Sequence, residues 1–464
     1  MSRPARSILP AFLLCAALAL QACGVSAPEA ASRSATALPD LPPIKRFKAR
    51  AAPPAYRSNA EIARDFLDLA FEMESGAALP FLTRFSGPIT VGINGIPPAL
   101  LERDLDDLIA RLRSEARIDI SRAAPGQAAQ INIDPIPIKR LQAFIPQAAC
   151  FVVPNVASFA EYRKRRGAPD TDWTRLAQRT QVTVVLPSDM PPQELRDCLH
   201  EEIAQALGPL NDLYRLPDSI FNDDNFHNVL TGFDMLILRA FYAPEMRNGI
   251  TRDEAAEVLP GLLNRLNPGG ASGLRGPLSV TPRAWNVLIA QALGPKVPQK
   301  ERARFAQQAL DIAKDRGWQD NRLAISHFVN GRVNLNTRPA MAVENILKAN
   351  TLYRELFGTA LHAAHMATQI AAFAISTGQN ETAIAITTEA LPAARAGENA
   401  AVLATLLLLQ AQALENKGQL DAARAVRLDA LGWGRYGFGS EKNIRARVAE
   451  IRSLSPKQAK GTGR

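Results

Sequence analysis

The sequence predicts an α+β domain followed by an all-α helical-repeat domain. Three observations carry that expectation. Between residues 58 and 270, short β-rich runs are interleaved with amphipathic helical stretches. After about residue 272 the β-rich runs stop. Near the C-terminus, "STGQNETAIAITTEAL" (376–391) aligns with "NKGQLDAARAVRLDAL" (416–431) at an offset of 40 residues. A chain of 464 residues with 47% hydrophobic and 21% charged content can build two or three domains, each with its own core.

The N-terminus reads as an export signal. Arg3 and Arg6 precede the apolar run "ILPAFLLCAALAL" (8–20), which is too short to span a bilayer. Its ending, "LQAC" (Leu20 to Cys23), resembles the lipobox of bacterial lipoproteins. That resemblance implies cleavage after residue 22 and lipidation of Cys23, anchoring the chain to the inner or outer membrane on the periplasmic side of a Gram-negative cell. Gly24 after the cysteine is compatible with outer-membrane sorting. Removing residues 1–22 takes two arginines and no acid from the formal charge of +9, leaving +7. The basic clusters lie in "IKRFKAR" (44–50) and the tail 441–464, where solvated side chains, anionic lipid or cell-wall polymer are the natural neighbours. An exported lipoprotein seldom meets nucleic acid, so no nucleic-acid partner is expected. Residues 23–57 are rich in Ala, Pro and Ser and read as a disordered tether.

From Ser58 the pattern turns globular. "NAEIARDFLDLAFEM" (59–73) has helical spacing, "PITVGIN" (88–94) is strand-like, and "PALLERDLDDLIARLRSEA" (98–116) is an amphipathic helix. "IDISRA" (118–123), "AQINIDPI" (129–136), "ACFVVPN" (149–155) and "QVTVVLP" (181–187) are further strand candidates. A helix follows within "SDMPPQELRDCLHEEIAQAL" (188–207), with Pro191 and Pro192 suited to its first turn and Gly208 to its stop. With Cys15 in the signal and Cys23 lipidated, Cys150 and Cys198 remain as an even pair in an oxidising compartment. A disulfide between them is expected, two buried thiols being the alternative.

The repeat region matches Gly378 with Gly418, Gln379 with Gln419, Ala383 with Ala423, and both Ala-Leu ends. Ala309, Ala349 and Ala390 extend the period backwards, so four units can be placed. Small residues at helix crossings let helix pairs stack, and over residues 280–435 the pattern resembles the tetratricopeptide family, whose usual unit is 34 residues. A plain helical bundle is the alternative. The resemblance implies a separable domain, 275–440, that holds an envelope protein in a concave face.

The most chemical stretch is "HEEIAQALGPLND" (200–212). Aligned on Gly208, the extended zinc-protease pattern H-E-x-x-H-x-x-G-x-x-H puts Glu201 on the first ligand, Glu202 on the general base, Gln205 on the second ligand and Asn211 on the third. His200 is one position out of register, and reading from it puts Ala204 on a ligand position. Downstream, "PDSIF" (217–221) occupies the place of the metzincin methionine turn, and "LTGFDMLILRAFY" (230–242) resembles the helix that follows it. With "CLHEEIAQALG" and "DSIFNDDN", residues 58–265 resemble the proteobacterial domain-of-unknown-function family numbered 2927, a divergent zincin with no assigned reaction.

Three readings follow. In a pseudo-protease with no metal, Glu201, Glu202 and Gln205 are a polar helix face, while Asn211 and Asp212 turn the chain and bond backbone amides of "DSIFNDD". In a hard-cation site, Glu201, Asn211, Asp212, Asp223 and Asp224 offer oxygens to calcium or another divalent cation. In a hydrolase, Glu202 is the general base for cleaving a peptide or glycosidic bond. The first, a scaffold lipoprotein, is the favoured reading and the periplasmic hydrolase its alternative. A deep cleft around a carboxylate of raised pKa would favour the enzyme, and a filled, flat site the scaffold. His362 and His365 (i, i+3) have a metal-compatible spacing but read as facing a groove or solvent, and His227 as a turn residue.

Overall fold

A computed structural model describes residues 40–456 except 49, 125, 147, 223, 225, 272–278 and 295. Cys23 and Asp223 therefore lie outside the described residues. The described residues from Leu41 onward form one compact unit, and no helix among them is long and apolar enough to cross a membrane.

The N-terminal part is an α/β region. Helix α1 (Asn59–Phe71) begins in a capping box of Ser58 and Glu61, which satisfies two backbone donors reciprocally. Each of the five β-rich runs forms a strand: β1 (Ile89–Ile93), β2 (Ile120–Arg122), β3 (Ile131–Ile136), β4 (Phe151–Pro154) and β5 (Val182–Pro187). They make one sheet in the order β2-β1-β3-β5-β4, parallel except for β4, which runs antiparallel to β5 on the edge. Every residue of β5 is buried, which is why its sequence is an almost unbroken apolar run with no alternation. Helix α2 (Leu101–Ser114) buries Leu101, Leu105, Leu108 and Leu112, one stripe at helical spacing. Short helices α3 (Ile138–Phe144) and α4 (Phe159–Arg165) cover the end of the sheet through Phe144, Phe151, Phe159 and Tyr162.

Helix α5 (Pro192–Leu207) packs on β4 and β5 and carries the candidate motif. It ends at Gly208, which packs so closely against the Phe241 ring that a Cβ there would lie 3.1 Å from it. Helices α6 (Gly232–Phe241) and α7 (Arg252–Leu266) complete the region, each opened by a capping box.

The rest is helical: α8 (Arg283–Leu293), α9 (Gln299–Asp315), α10 (Asn321–Asn334), α11 (Pro339–Phe357), α12 (Leu361–Ser376), α13 (Asn380–Ala396), α14 (Ala400–Asn416), α15 (Leu420–Gly437) and α16 (Glu441–Ser453). The 40-residue offset is visible in the backbone. Gly378 and Gly418 take φ of +77° and +78°, and the following Gln379 and Gln419 donate backbone N–H to Ala374 and Leu414 carbonyls in the same C-terminal turn. Pairs of helices of about 17 residues plus such turns account for a unit longer than 34 residues.

Two expectations need correction. The repeat region is not closed on itself, because Tyr214 and Phe226 of the α/β region sit in its core. Tyr214 meets Trp285 edge-on at 5.1 Å and Phe226 meets Tyr353 at 5.6 Å. Nor are residues 41–57 a free tether. Lys45 donates its backbone N–H to the Gly432 carbonyl, Phe47 stacks on Trp433 at 4.5 Å, and Ala52 N–H meets Glu115 Oε2 at 3.0 Å. Pro53 then passes so close to α6 that a Cβ on Gly232 would lie 1.8 Å from its carbonyl oxygen. Proline-rich chain has few amide donors to satisfy, so it can lie across both regions as a strap.

Candidate functional site

The site is built on α5, whose two halves do different things. In the C-terminal half, Glu201 and Glu202 bring carboxylate oxygens within 4.8 Å of each other and of the Cys150 sulfur. That sulfur is committed to a disulfide with Cys198, with an S–S distance of 2.04 Å and Cα atoms 5.9 Å apart, so it offers no thiolate. Glu202 is 3% exposed and its Oε2 has no hydrogen-bond partner among the described residues. Burial first, then the nearby carboxylates of Asp212 and Glu74, push its pKa well above the ordinary glutamate value. The protonated form is thereby favoured.

The other ligand positions hold structure together. Asn211 donates its side-chain amide to the Asp68 carbonyl at 2.9 Å and accepts from Asp212 N–H at 3.1 Å. Leu213 N–H reaches the Phe221 carbonyl, a backbone link between this turn and "DSIFNDD". Gln205 is half-buried, and its backbone carbonyl accepts from Arg179 at 2.5 Å. His200 points into the core, where its Nδ1 accepts from Leu230 N–H at 3.1 Å, and burial holds its pKa well below the usual histidine value. A zinc ion on this frame would meet two glutamates, an amide already in use and a buried, inward-facing imidazole. The residues present do not fit it.

The described acidic members of the oxygen-ligand set are not gathered into one cluster. Among the described residues, Glu201, Asp212 and Asp224 do not gather their oxygens within 4.8 Å of one another. Asp224 belongs elsewhere: it accepts from Phe226 N–H at 3.0 Å and from the Asn222 amide at 2.9 Å, with His362 4.0 Å away.

The segment after the motif is anchored as its pattern suggests. Asp234, at the third position of α6, accepts from Ser219 Oγ at 2.5 Å and from Ile220 N–H at 3.1 Å, while Ile220 and Phe221 are buried in the core. Burial raises the Asp234 pKa to about 6 against the opposing effect of these bonds.

The N-terminal half of α5 grips the repeats, which the sequence did not announce. Gln193 donates to Asn399 Oδ1 at 3.0 Å and accepts from Ala401 N–H at 2.9 Å, while Asn228 and Asn399 bond each other at 2.5 Å. Arg196 pairs with Glu398, both side chains 9% exposed. Glu398 occupies the left-handed position of its turn, φ +51°, where the sister turns have Gly378 and Gly418. Asp197 accepts from the Asn228 amide at 2.7 Å, and burial followed by the Glu194 charge lifts its pKa to about 7. Tyr436 of α15 donates to Asp104 of α2 at 2.8 Å in the same junction. At the other end of α5, Arg179 donates to the Gln205, Ala206 and Gly208 carbonyls and caps the helix from outside its own sequence. The break in the repeat pattern, Glu398 where glycine recurs, was the one sequence signal for the Arg196 contact.

The two repeat histidines do not face a groove or solvent as expected. His362 is buried at 3% exposure and His365 half-buried, both against Phe226 at ring distances of 4.9 and 4.6 Å. His227 is half-buried beside them, its Nε2 3.0 Å from the Pro217 carbonyl.

Residues 59–261, somewhat under half of the chain, match a family described as "Protein of unknown function (DUF2927)". That segment covers the whole α/β sheet and α5. No curated protein matches the chain.

Proposed function

We propose that this is a scaffold lipoprotein of the cell envelope, in which a degenerate zincin-like domain and tetratricopeptide-like repeats act as one rigid protein-binding module. The observation that carries the reading is Glu202, the residue at the general-base position. A carboxyl 3% exposed lies in a filled site and offers almost no surface to a substrate. The mixed sheet followed by a motif-bearing helix, and the Asp234-anchored turn after it, support a zincin ancestry with the zinc chemistry gone. The signal-like N-terminus with Cys23 supports a lipid anchor on the periplasmic side.

The binding face of this reading is the groove between α11, α12 and α13, a cavity of about 250 Å³ lined by Leu347, Arg354, Ala363, Ala367 and Ile386. Leu347, 45% exposed, supplies apolar surface at its rim. The alternative, a hydrolase with Glu202 as the reacting group, is favoured by one observation, its buried and unpartnered Oε2.

A photo-reactive residue in place of Leu347, in the envelope of living cells, should cross-link to a discrete partner. Glu202→Gln should leave that cross-link and the fold unchanged, since the amide has nearly the shape of the carboxyl it replaces. Cleavage of a protein or cell-wall substrate by the wild type that Glu202→Gln abolishes, with the fold intact, would overturn the scaffold reading.

A further inference from the structure

Cys198, Glu201 and Glu202 stand at i, i+3 and i+4 on α5, so their side chains leave one face of the helix. Cys150, the residue before β4, approaches that face from the sheet. Its sulfur lies within 4.8 Å of a carboxylate oxygen of each glutamate. The disulfide therefore has an acidic edge. Its two halves also differ in access: Cys198 is 7% exposed and belongs to the core, whereas Cys150 is half-buried.

A disulfide needs no carboxyl beside it to be stable, but its reduced form needs two protons. A thiolate left at the Cys198 position would be a buried charge next to carboxylates, far from water. Opening the bond inside the fold thus calls for an internal proton donor. Glu202 has the place and the freedom for it. Its Oε2 is buried with no hydrogen-bond partner among the described residues, a polar atom that helix packing has left unengaged. The ionisable groups facing it are Glu201 on its own helix, Cys150 from the sheet, and Asp212 and Glu74 from the segments beside it. Burial and the charges of Asp212 and Glu74 both keep its carboxyl loaded with a proton.

We propose that Cys150–Cys198 is a thiol–disulfide exchange site for a dithiol reductant, with Glu202 as its proton donor. The reductant's thiolate attacks the more accessible Cys150 sulfur, and the S–S bond breaks. The electron pair leaves on Cys198, which takes the Glu202 proton. A mixed disulfide now joins Cys150 to the reductant. The reductant's second thiol attacks its own sulfur in that bond and passes its proton to the Glu202 carboxylate. Cys150 leaves and takes from solvent the proton that the first thiol released. The chain has gained two electrons and two protons, and the dithiol has become a disulfide.

This role gives the orphan oxygen of Glu202 a use that asks no substrate to reach it. It also has a consequence for the junction. With the bond open, α5 is no longer tied covalently to the sheet, and Gln193 and Arg196, which hold the repeats, lie just before Cys198 on the same helix. The exchange requires no docked partner, so it stands apart from the scaffold reading.

The probe is dithiothreitol, added without denaturant to the oxidised full chain in detergent. Thiols are trapped by alkylation and counted by mass. The wild type should yield two thiols per chain while its circular dichroism stays that of the folded protein, and oxidised dithiothreitol should restore the bond. Glu202→Gln should slow reduction at pH 7 at least about tenfold. That gap should close as pH rises and the wild-type carboxyl loses its proton, a change that a merely structural role would not produce. Gln205→Ala, one turn further on, should keep the wild-type rate. If Glu202→Gln does not fold, Glu202→Asp replaces it, with slower reduction expected because the acid is drawn back by one methylene. A bond that opens only when urea unfolds the chain would overturn the proposal. So would a Glu202→Gln rate equal to that of the wild type at every pH, or a loss found in Glu201→Gln and not in Glu202→Gln.

Discussion

The first turns of α5 and its last turns share one helix and one run of sequence, yet they have opposite fates. The C-terminal half carries the residues that look chemical: Glu201, Glu202 and Gln205. There Glu202 is shut in with an unsatisfied oxygen, and the donors around it are spent on backbone. The N-terminal half looks like ordinary helix, but Gln193 and Arg196 form the polar lock onto the repeats, and Asp197 holds Asn228, which bonds Asn399. The difference teaches that resemblance to a catalytic motif and engagement in the tertiary structure are separate properties of a helix. Selection for a zinc site constrains three ligands and a base. Selection for a junction constrains whatever residues happen to face the partner, and those leave no fixed pattern.

The disulfide pins α5 between its two halves, and removing it should produce the largest effect. In the chain-entropy model, closing a separation of 48 residues stabilises by roughly 4 kcal/mol. A Cys150→Ser/Cys198→Ser double variant should lose about that much in urea unfolding. Protection from hydrogen exchange should drop most in α5 and β4. A loss below about 1 kcal/mol would mean that the helix is held by packing alone.

The lock itself comes next. Arg196→Ala leaves Glu398 buried without its partner in a left-handed turn, and a cost of about 3 kcal/mol is expected. Glu398→Gly restores the residue that the sister turns use and relieves the backbone, but strands Arg196. Its cost should be smaller than that of Arg196→Ala by about 1 kcal/mol. Denaturant midpoints of the two variants check the order; the reverse order would show that the turn, not the ion pair, sets the geometry.

A smaller effect sharpens the comparison through pH. Asp197 has a folded pKa of about 7 against an ordinary value of 3.8. A raised folded pKa gives stability that is present below the unfolded value and is lost as pH rises through the folded one. Between pH 4 and pH 8 the wild type should therefore lose roughly 2 kcal/mol relative to Asp197→Asn, after allowance for partial exposure. The buried histidines act in the opposite direction, since their pKa values are lowered. The difference between the two proteins isolates the aspartate. Parallel pH curves would show that Asp197 is ionised and well solvated in the folded chain.

Much of the fold is legible in the sequence because local rules decide it. The five strand runs, the helix after Pro191 and Pro192, and the 40-residue offset of Gly378 and Gly418 all appear where spacing and turn chemistry place them. Cys150 and Cys198, the two cysteines that follow residue 23, are bonded to each other, as counting suggested. For the candidate site, the sequence identifies the positions but not their condition. A motif resemblance singles out Glu202, but it cannot show that the carboxyl is sealed beneath a packed layer, because desolvation depends on what other segments bring to cover it.

What the sequence by itself determined is periodicity: which stretches are strands, which are paired helices, and where small residues allow close crossings. Only the tertiary structure decided that Tyr214 and Phe226 leave their own domain to fill the core of the repeats. It also made residues 41–57 a strap, and brought Asp224 and His227 to His362 across more than a hundred residues of chain. The physical reason is range. Propensity and capping act over a few residues and are written in local order. Contacts between surfaces depend on where every segment ends, and a residue such as Arg196 takes its partner from a turn two hundred positions away.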